Sequence, residues 1–322
     1  MRSLRSFGLV SLFIGAQVVA LALALPFRAQ GLSTTANPSS PTAPLYLIAV
    51  IIAAPIGILL LARIRGALAT LRWIILLGIA GALSFTLTAA FQALLPEYYF
   101  LPPVSADYVV VPAIALGMLA AVLMFEVLLL DPQWYVVDFV GFVAAGSLIA
   151  LLGISFAILP VLILLVVLAG YDAIAVYWTK HMVSLAEVVT DLKLPILLVM
   201  PATAGYNYPT SGGFTAQRGR PVEEREAMFM GLGDIVFPGI LIVAAYIWLP
   251  LSPTFLHVGA NLWVALGALA GALVGYTVLM RFVHSGNPQA GLPFLNGGVI
   301  AGYLLTYLLV LHNLSFGVSF NF

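Results

Sequence analysis

The sequence predicts an all-α polytopic membrane protein of nine transmembrane helices, with its N-terminus in the cytoplasm and its C-terminus outside. Three observations lead there. Of 322 residues, 63% are hydrophobic and only 7% are charged, against about 25% charged in an ordinary soluble protein. Nine apolar stretches come close to the ~20 residues that cross a hydrocarbon core. The basic residues also divide almost completely between alternate connections, as the positive-inside rule requires.

The stretches lie at 7–27, 45–63, 73–95, 109–130, 135–155, 158–179, 227–249, 256–280 and 292–314. The first follows Arg2 and Arg5 and so resembles a signal peptide. Its apolar run is long, however, and no clean small-residue cleavage site precedes Arg28, so an uncleaved helix is expected. The fifth and sixth meet at a very short joint near Ser155. With the N-terminus inside, the inner segments carry Arg2, Arg5, Arg63, Arg65, Arg72, Lys180, Lys193, Arg218, Arg220, Arg225 and Arg281. The outer segments carry Arg28, a split of eleven against one. A missed span would invert everything after it and mix these counts.

The chain divides into a six-helix region at 1–179, a polar loop at 180–226 and a three-helix region at 227–322. In the loop, residues 180–193 mix apolar and charged side chains and could form a short interfacial helix. The stretch LPILLVMP that follows is too short to span, and the Gly-, Pro- and charge-rich remainder reads as a mobile loop. Net charge is zero, so no basic patch argues for nucleic acid. The absence of cysteine excludes disulfides, thiolate catalysis and cysteine metal sites.

Two aspartates lie deep in apolar stretches: Asp172 in VLILLVVLAGYDAIAVYW and Asp234 in MFMGLGDIVFPGILIVAAYIW. A carboxylate at membrane depth costs roughly 3 kcal/mol or more on insertion scales, so retaining two implies use. The sixth span runs outward to inward and the seventh returns. Counting from Lys180 and Arg225, both carboxyls fall about 10–13 Å below the inner interface at 1.5 Å per helical residue. Near the start of the ninth span stand Gly286, Pro288, Gly291, Pro293, Gly297 and Gly298. Pro293 cannot continue a helix from residue 289, so 285–292 is expected to be irregular. Such backbone is tolerated at depth only where it is buried in protein or lines a watery cavity.

Two facing carboxyls in low dielectric titrate as a unit and share a proton. That state suits aspartic hydrolysis: one carboxylate takes a proton from water while the protonated partner donates to the scissile carbonyl oxygen. No metal or cofactor is needed. Rival chemistries lack their residues. There is no HExxH, and His181, His257, His284 and His312 are scattered. GxSG, GxxxxGK[ST] and the DTG or DSG of soluble aspartic proteases are also absent.

Three motifs then make a family resemblance specific. They are Tyr171-Asp172 in GYDAIAV, Gly231-Leu232-Gly233-Asp234 as GxGD, and Ala290-Gly291-Leu292-Pro293 opening the last span. In this order, in spans six, seven and nine, the chain resembles the presenilin and signal peptide peptidase family of intramembrane aspartyl proteases, and looks most like its archaeal presenilin homologues. The third motif departs from the family's PAL pattern: aligning Leu292 puts Ala290 at the proline and Gly291 at the alanine.

The resemblance implies cleavage of peptide bonds within transmembrane helices of single-span proteins by an Asp172/Asp234 dyad. Tyr171, Gly231, Gly233, Gln289, Ala290, Gly291, Leu292 and Pro293 would support the dyad or the substrate. It implies a multi-pass protein of a prokaryotic, archaeal cell membrane. The lipid bilayer would be its surroundings, no accessory subunit would be required, and a homo-oligomer is compatible. The charge split matches the presenilin orientation. Gln289 and Asn296 could satisfy broken backbone or touch substrate, whereas Glu126 and Asp138 read as interfacial. The alternative from another class is a proton-coupled transporter using the same aspartates. A shared-proton dyad predicts activity that falls at alkaline pH; in a pH–rate profile, a rate still rising above about pH 9 would contradict it.

Overall fold

The computed structural model describes residues 2–61, 63–64, 67–94, 107–179, 185, 197–203, 205–208, 210–211, 224–283 and 289–318. Among them run nine helices: α1 (Arg2–Ala29), α2 (Ala43–Leu61), α3 (Ala67–Leu94), α4 (Asp107–Leu130), α5 (Trp134–Ser155), α6 (Ile158–Ala173), α7 (Leu232–Trp248), α8 (Ala260–Val283) and α9 (Leu292–Leu311). Eight are long and apolar enough to cross a membrane, α6 with the π-turn Ile174–Trp178 that extends it; α7 is shorter. Each expected span thus has its helix. The α5–α6 joint falls at Phe156 and Ala157, where the backbone turns extended.

The seventh span departs from expectation. Residues 227–231 are not helical but form strand β2 (Ala227–Gly231), paired antiparallel with β1 (Leu197–Pro201) in the register Leu197↔Gly231 to Pro201↔Ala227. Both strands are short apolar runs, and periodicity cannot separate such a run from the start of a buried helix. The helix therefore begins at Leu232 and places Asp234 in its first turn. With 17 residues, α7 is about 25 Å long at 1.5 Å per residue, less than the ~30 Å core. The proposed interfacial helix at 180–193 lies outside the described residues except for position 185.

A peripheral-to-central gradient organises the bundle. Helices α2, α3 and α4 present many large apolar side chains outward, among them Leu60, Trp73 and Val122, as contact with lipid tails demands. Helix α7 sits at the centre, packed against α1, α5, α6, α8 and α9, with Ile240 through Ala245 fully buried. Lipid tails are as apolar as leucine, so close backbone approach replaces hydrophobic drive between such helices. The α8–α9 seam shows it: Gly271 faces the Gly298 carbonyl and the Gly302 backbone, and Gly275 faces the Phe294 carbonyl. At the far end of α7, Arg28 donates to the Ile247 carbonyl at 2.9 Å and lies over the Trp248 ring.

Helix α9 is therefore positioned by a seam with no room for a side chain. Gly271→Val should lower stability by about 1–3 kcal/mol or more through overpacking, read as a drop in thermal unfolding midpoint in detergent; an unchanged midpoint would show the seam to be loose.

Candidate active site

The site forms where three chain segments meet: the C-terminal part of α6, the β2–α7 junction and the N-terminus of α9. Asp172 lies one residue before the end of α6, after which the helix loosens into the π-turn Ile174–Trp178. Single π-turns inside α-helices occur frequently at functional sites. Asp234 stands in the first turn of α7, three residues after the strand ends at Gly231. Asp172 is buried at 7% exposure, whereas Gly231, Leu232, Gly233 and Asp234 remain partly open.

The start of α9 joins the two carboxyls. The Leu292 amide donates to Asp172 Oδ2 at 3.0 Å, and the Gly291 amide also donates to Asp172. The first amides of a helix have no partners within it, and the helix dipole favours an anion there. Asp172 thus caps α9 from another helix. Pro293 occupies the first turn, where its missing N–H costs nothing. Residues 289–291 are non-helical, as expected, and 284–288 lie outside the described residues.

Asp234 approaches the same residue from the other side. A Cβ at Gly291 would lie 2.8–2.9 Å from Asp234 Oδ1, Cγ and Oδ2. The backbone of Gly291 is ordinary, at φ −77° and ψ −45°, so glycine is required here for space rather than conformation. Gly231 leaves a similar but looser gap, its Cβ position 3.5 Å from Asp234 Oδ2, while Gly233 faces Phe237. Asp172 and Asp234 are near enough to act on each other electrostatically.

The remaining expected residues take supporting positions. Tyr171 is half-buried beside Asp172. Gln289 accepts a hydrogen bond from the Tyr177 hydroxyl at 2.9 Å, and the Ala290 amide donates to the same hydroxyl at 3.4 Å. Ala290 is fully buried. Asn296 donates to the Leu165 carbonyl at 2.9 Å, which ties α9 to α6.

Sequence reasoning missed three side chains. Tyr177 holds the segment before α9; its only signal was its place one turn and a half beyond Asp172. Gln17 reaches from α1 to the Ile235 carbonyl at 3.1 Å, one residue past Asp234, and was visible as a polar residue in an apolar span. Asp138 is corrected outright: it is not interfacial but 4% exposed, and its Oδ1 accepts from the Val199 amide of β1 at 2.7 Å. A folded-back strand covers it, which no linear reading reveals. Glu126, by contrast, is exposed. Of the Gly-, Pro- and charge-rich remainder of the polar loop, residues 202–203, 205–208, 210–211 and 224–226 are described. Asn207, Thr210 and Ser211 line a cavity of about 600 Å³ with Glu224, Arg225 and Glu226, at the end of the ribbon away from Asp234. Beside it, burial raises the Tyr206 hydroxyl above its ordinary range, opposed by its 2.9 Å bond to Ser211. No cluster of His, Asp or Glu among the described residues could hold a metal.

Comparison with known proteins agrees with this geometry. Residues 10–311 match the family described as signal-peptide peptidase, presenilin aspartyl protease. A solved structure of a presenilin family intramembrane aspartate protease, in a C222 crystal form, is 32% identical, with 95% of this chain and 99% of that one covered at a TM-score of 0.64. A second crystal form, P2, gives 32% identity, coverage of 94% and 97%, and a TM-score of 0.62. Among curated proteins compared by sequence, none matches. A match over nearly the whole chain, with two carboxyls gathered at the head of one helix, places this protein in the signal-peptide peptidase and presenilin family of intramembrane aspartyl proteases.

Proposed function

We propose that Asp172 and Asp234 are the catalytic pair of this intramembrane protease. The observation that carries the assignment is their convergence on Gly291, which bonds one carboxyl and makes room for the other. A carboxyl facing two amide donors acts as an acceptor, so Asp172 is assigned the base and Asp234 the shared proton. Asp172 takes a proton from water, and the water oxygen attacks the scissile carbonyl carbon. Asp234 donates its proton to the carbonyl oxygen. Collapse of the tetrahedral intermediate breaks the C–N bond as a proton passes to the leaving nitrogen. The partly open face at Gly231–Asp234 is where water and peptide would enter.

A substrate helix hides its carbonyls in its own hydrogen bonds, so it must unwind before it can react. Strand addition would replace the lost bonds. Beside the dyad, the β1–β2 ribbon leads directly into Asp234, and Gln289–Gly291 supplies non-helical backbone. The proposed substrates are single-span proteins with N-termini outside, in keeping with the charge split that puts this chain's N-terminus in the cytoplasm. We assign the protein to the cell membrane of a prokaryote, working without accessory subunits. Family membership favours hydrolysis, and no observation favours proton-coupled transport.

Incubation of the purified protein with a model single-span substrate, followed by mass measurement of the products, tests the pair. Asp172→Asn and Asp234→Asn should each abolish hydrolysis while the protein stays folded; residual cleavage by either would refute the dyad. Gly291→Ala adds one methyl against Asp234. A displacement of about 1 Å at a reacting group can cost roughly 100-fold in rate, so kcat should fall steeply with little change in unfolding midpoint. Equal rates for Gly291→Ala and the parent would mean that Asp234 does not need this space.

A further inference from the structure

With Asp172, Asp138 is one of two buried carboxyls among the described residues, and the proposed reaction does not use it. It lies on α5 between Val137 and Val140, which join Val199 and Ala227 of the ribbon in one apolar cluster. Its Oδ1 receives the Val199 amide, while Oδ2 is buried without a partner among the described residues. A buried carboxyl with one oxygen unsatisfied is costly. The surrounding packing gives no reason for an acid here except the amide it meets.

The register shows what that amide does. Antiparallel pairs alternate between bonded and non-bonded residues. The Val199 N–H goes to Asp138, so the Val199↔Phe229 pair is the non-bonded kind, and the bonded pairs fall at Leu198↔Met230 and Met200↔Met228. The Ala202 amide donating to the Glu226 carbonyl at 2.7 Å continues that phase. Pro201, which has no N–H, falls on the side turned away from β2, as a strand proline must. Asp138 therefore occupies the outer edge of β1, where a third strand would bond. It fastens β1 to α5, and β1 in turn holds β2, whose last residue, Gly231, is paired with Leu197 and stands three residues before Asp234.

We propose that Asp138 is a positioning residue for the protease: by capping the Val199 amide it sets the ribbon against α5, and through the β1–β2 register it sets the approach to Asp234. The proposal rests on the dyad reading, because the ribbon matters to catalysis only if Asp234 reacts. It concerns where and how fast a bound peptide is cut, since Asp138 touches neither dyad carboxyl in any described contact.

The test compares Asp138→Leu and Asp138→Asn with the parent protein on a single-span substrate, reading rate, product masses and residue-resolved amide exchange. Asp138→Leu keeps the branching at Cγ, in a larger side chain, and removes the acceptor; kcat should fall about tenfold or more, as misplacement of a reacting group costs rate, and the cleavage positions should spread. Asp138→Asn retains an acceptor oxygen and should restore both rate and positions to near those of the parent. In the parent itself, the Val199 amide should exchange as slowly as those of Leu198 and Met200, a reading that needs no variant to fold. Fast exchange at Val199, or Asp138→Leu with the parent's product masses and rate, would overturn the proposal. Asp172→Asn and Asp234→Asn run alongside separate the two claims: their activity would refute the dyad whatever Asp138 does.

Discussion

Two amide hydrogens at the head of α9 hold this site together. Gly291 and Leu292 donate to Asp172, and the missing side chain of Gly291 admits Asp234. A helix start has unpartnered donors and a positive dipole end, whereas a carboxylate in apolar surroundings lacks solvation. Each satisfies the other's deficit. This is why an acid can be kept at membrane depth and why the last helix begins where it does.

Several features of the bundle serve to deliver that helix start. The α8–α9 seam is glycine against backbone, which fixes α9 laterally. Asn296 binds the Leu165 carbonyl and fixes α9 to α6, the helix that carries Asp172. Tyr177 holds Gln289 and Ala290 just before the turn. On the opposite side, Gln17 from α1 grips the Ile235 carbonyl next to Asp234. The centre of the molecule is α7, too short to span alone, with a strand ribbon leading into its N-terminus. That arrangement leaves the GLGD backbone partly open, whereas Ile240 through Ala245 further along α7 are fully buried.

The departure from the family's PAL pattern acquires a physical meaning here. Where the pattern has alanine, this chain has Gly291, and the structure uses the absence of Cβ to seat Asp234. Ala290, in the proline's place, is fully buried and gives its amide to Tyr177, a bond that proline could not make. The two replacements are thus consistent with each other: one frees space for an acid, and the other provides an N–H for the segment that precedes it.

The sequence by itself determined the helices and the two acids. Lipid imposes a minimum apolar length on every spanning helix, and it makes each carboxylate inside one costly, so both signals survive in one dimension. The break before Pro293 was equally legible, since proline's effect on a helix is local. Only tertiary structure decided the rest. AMFMG reads as the beginning of a helix until LLVMP pairs with it, because a five-residue apolar run carries no period that separates strand from helix. Asp138 reads as interfacial until the ribbon covers it, because burial depends on what folds over a residue rather than on its neighbours in the chain. Gly291 reads only as part of an irregular stretch until Asp234 arrives, because the need for empty space belongs to the partner that fills it.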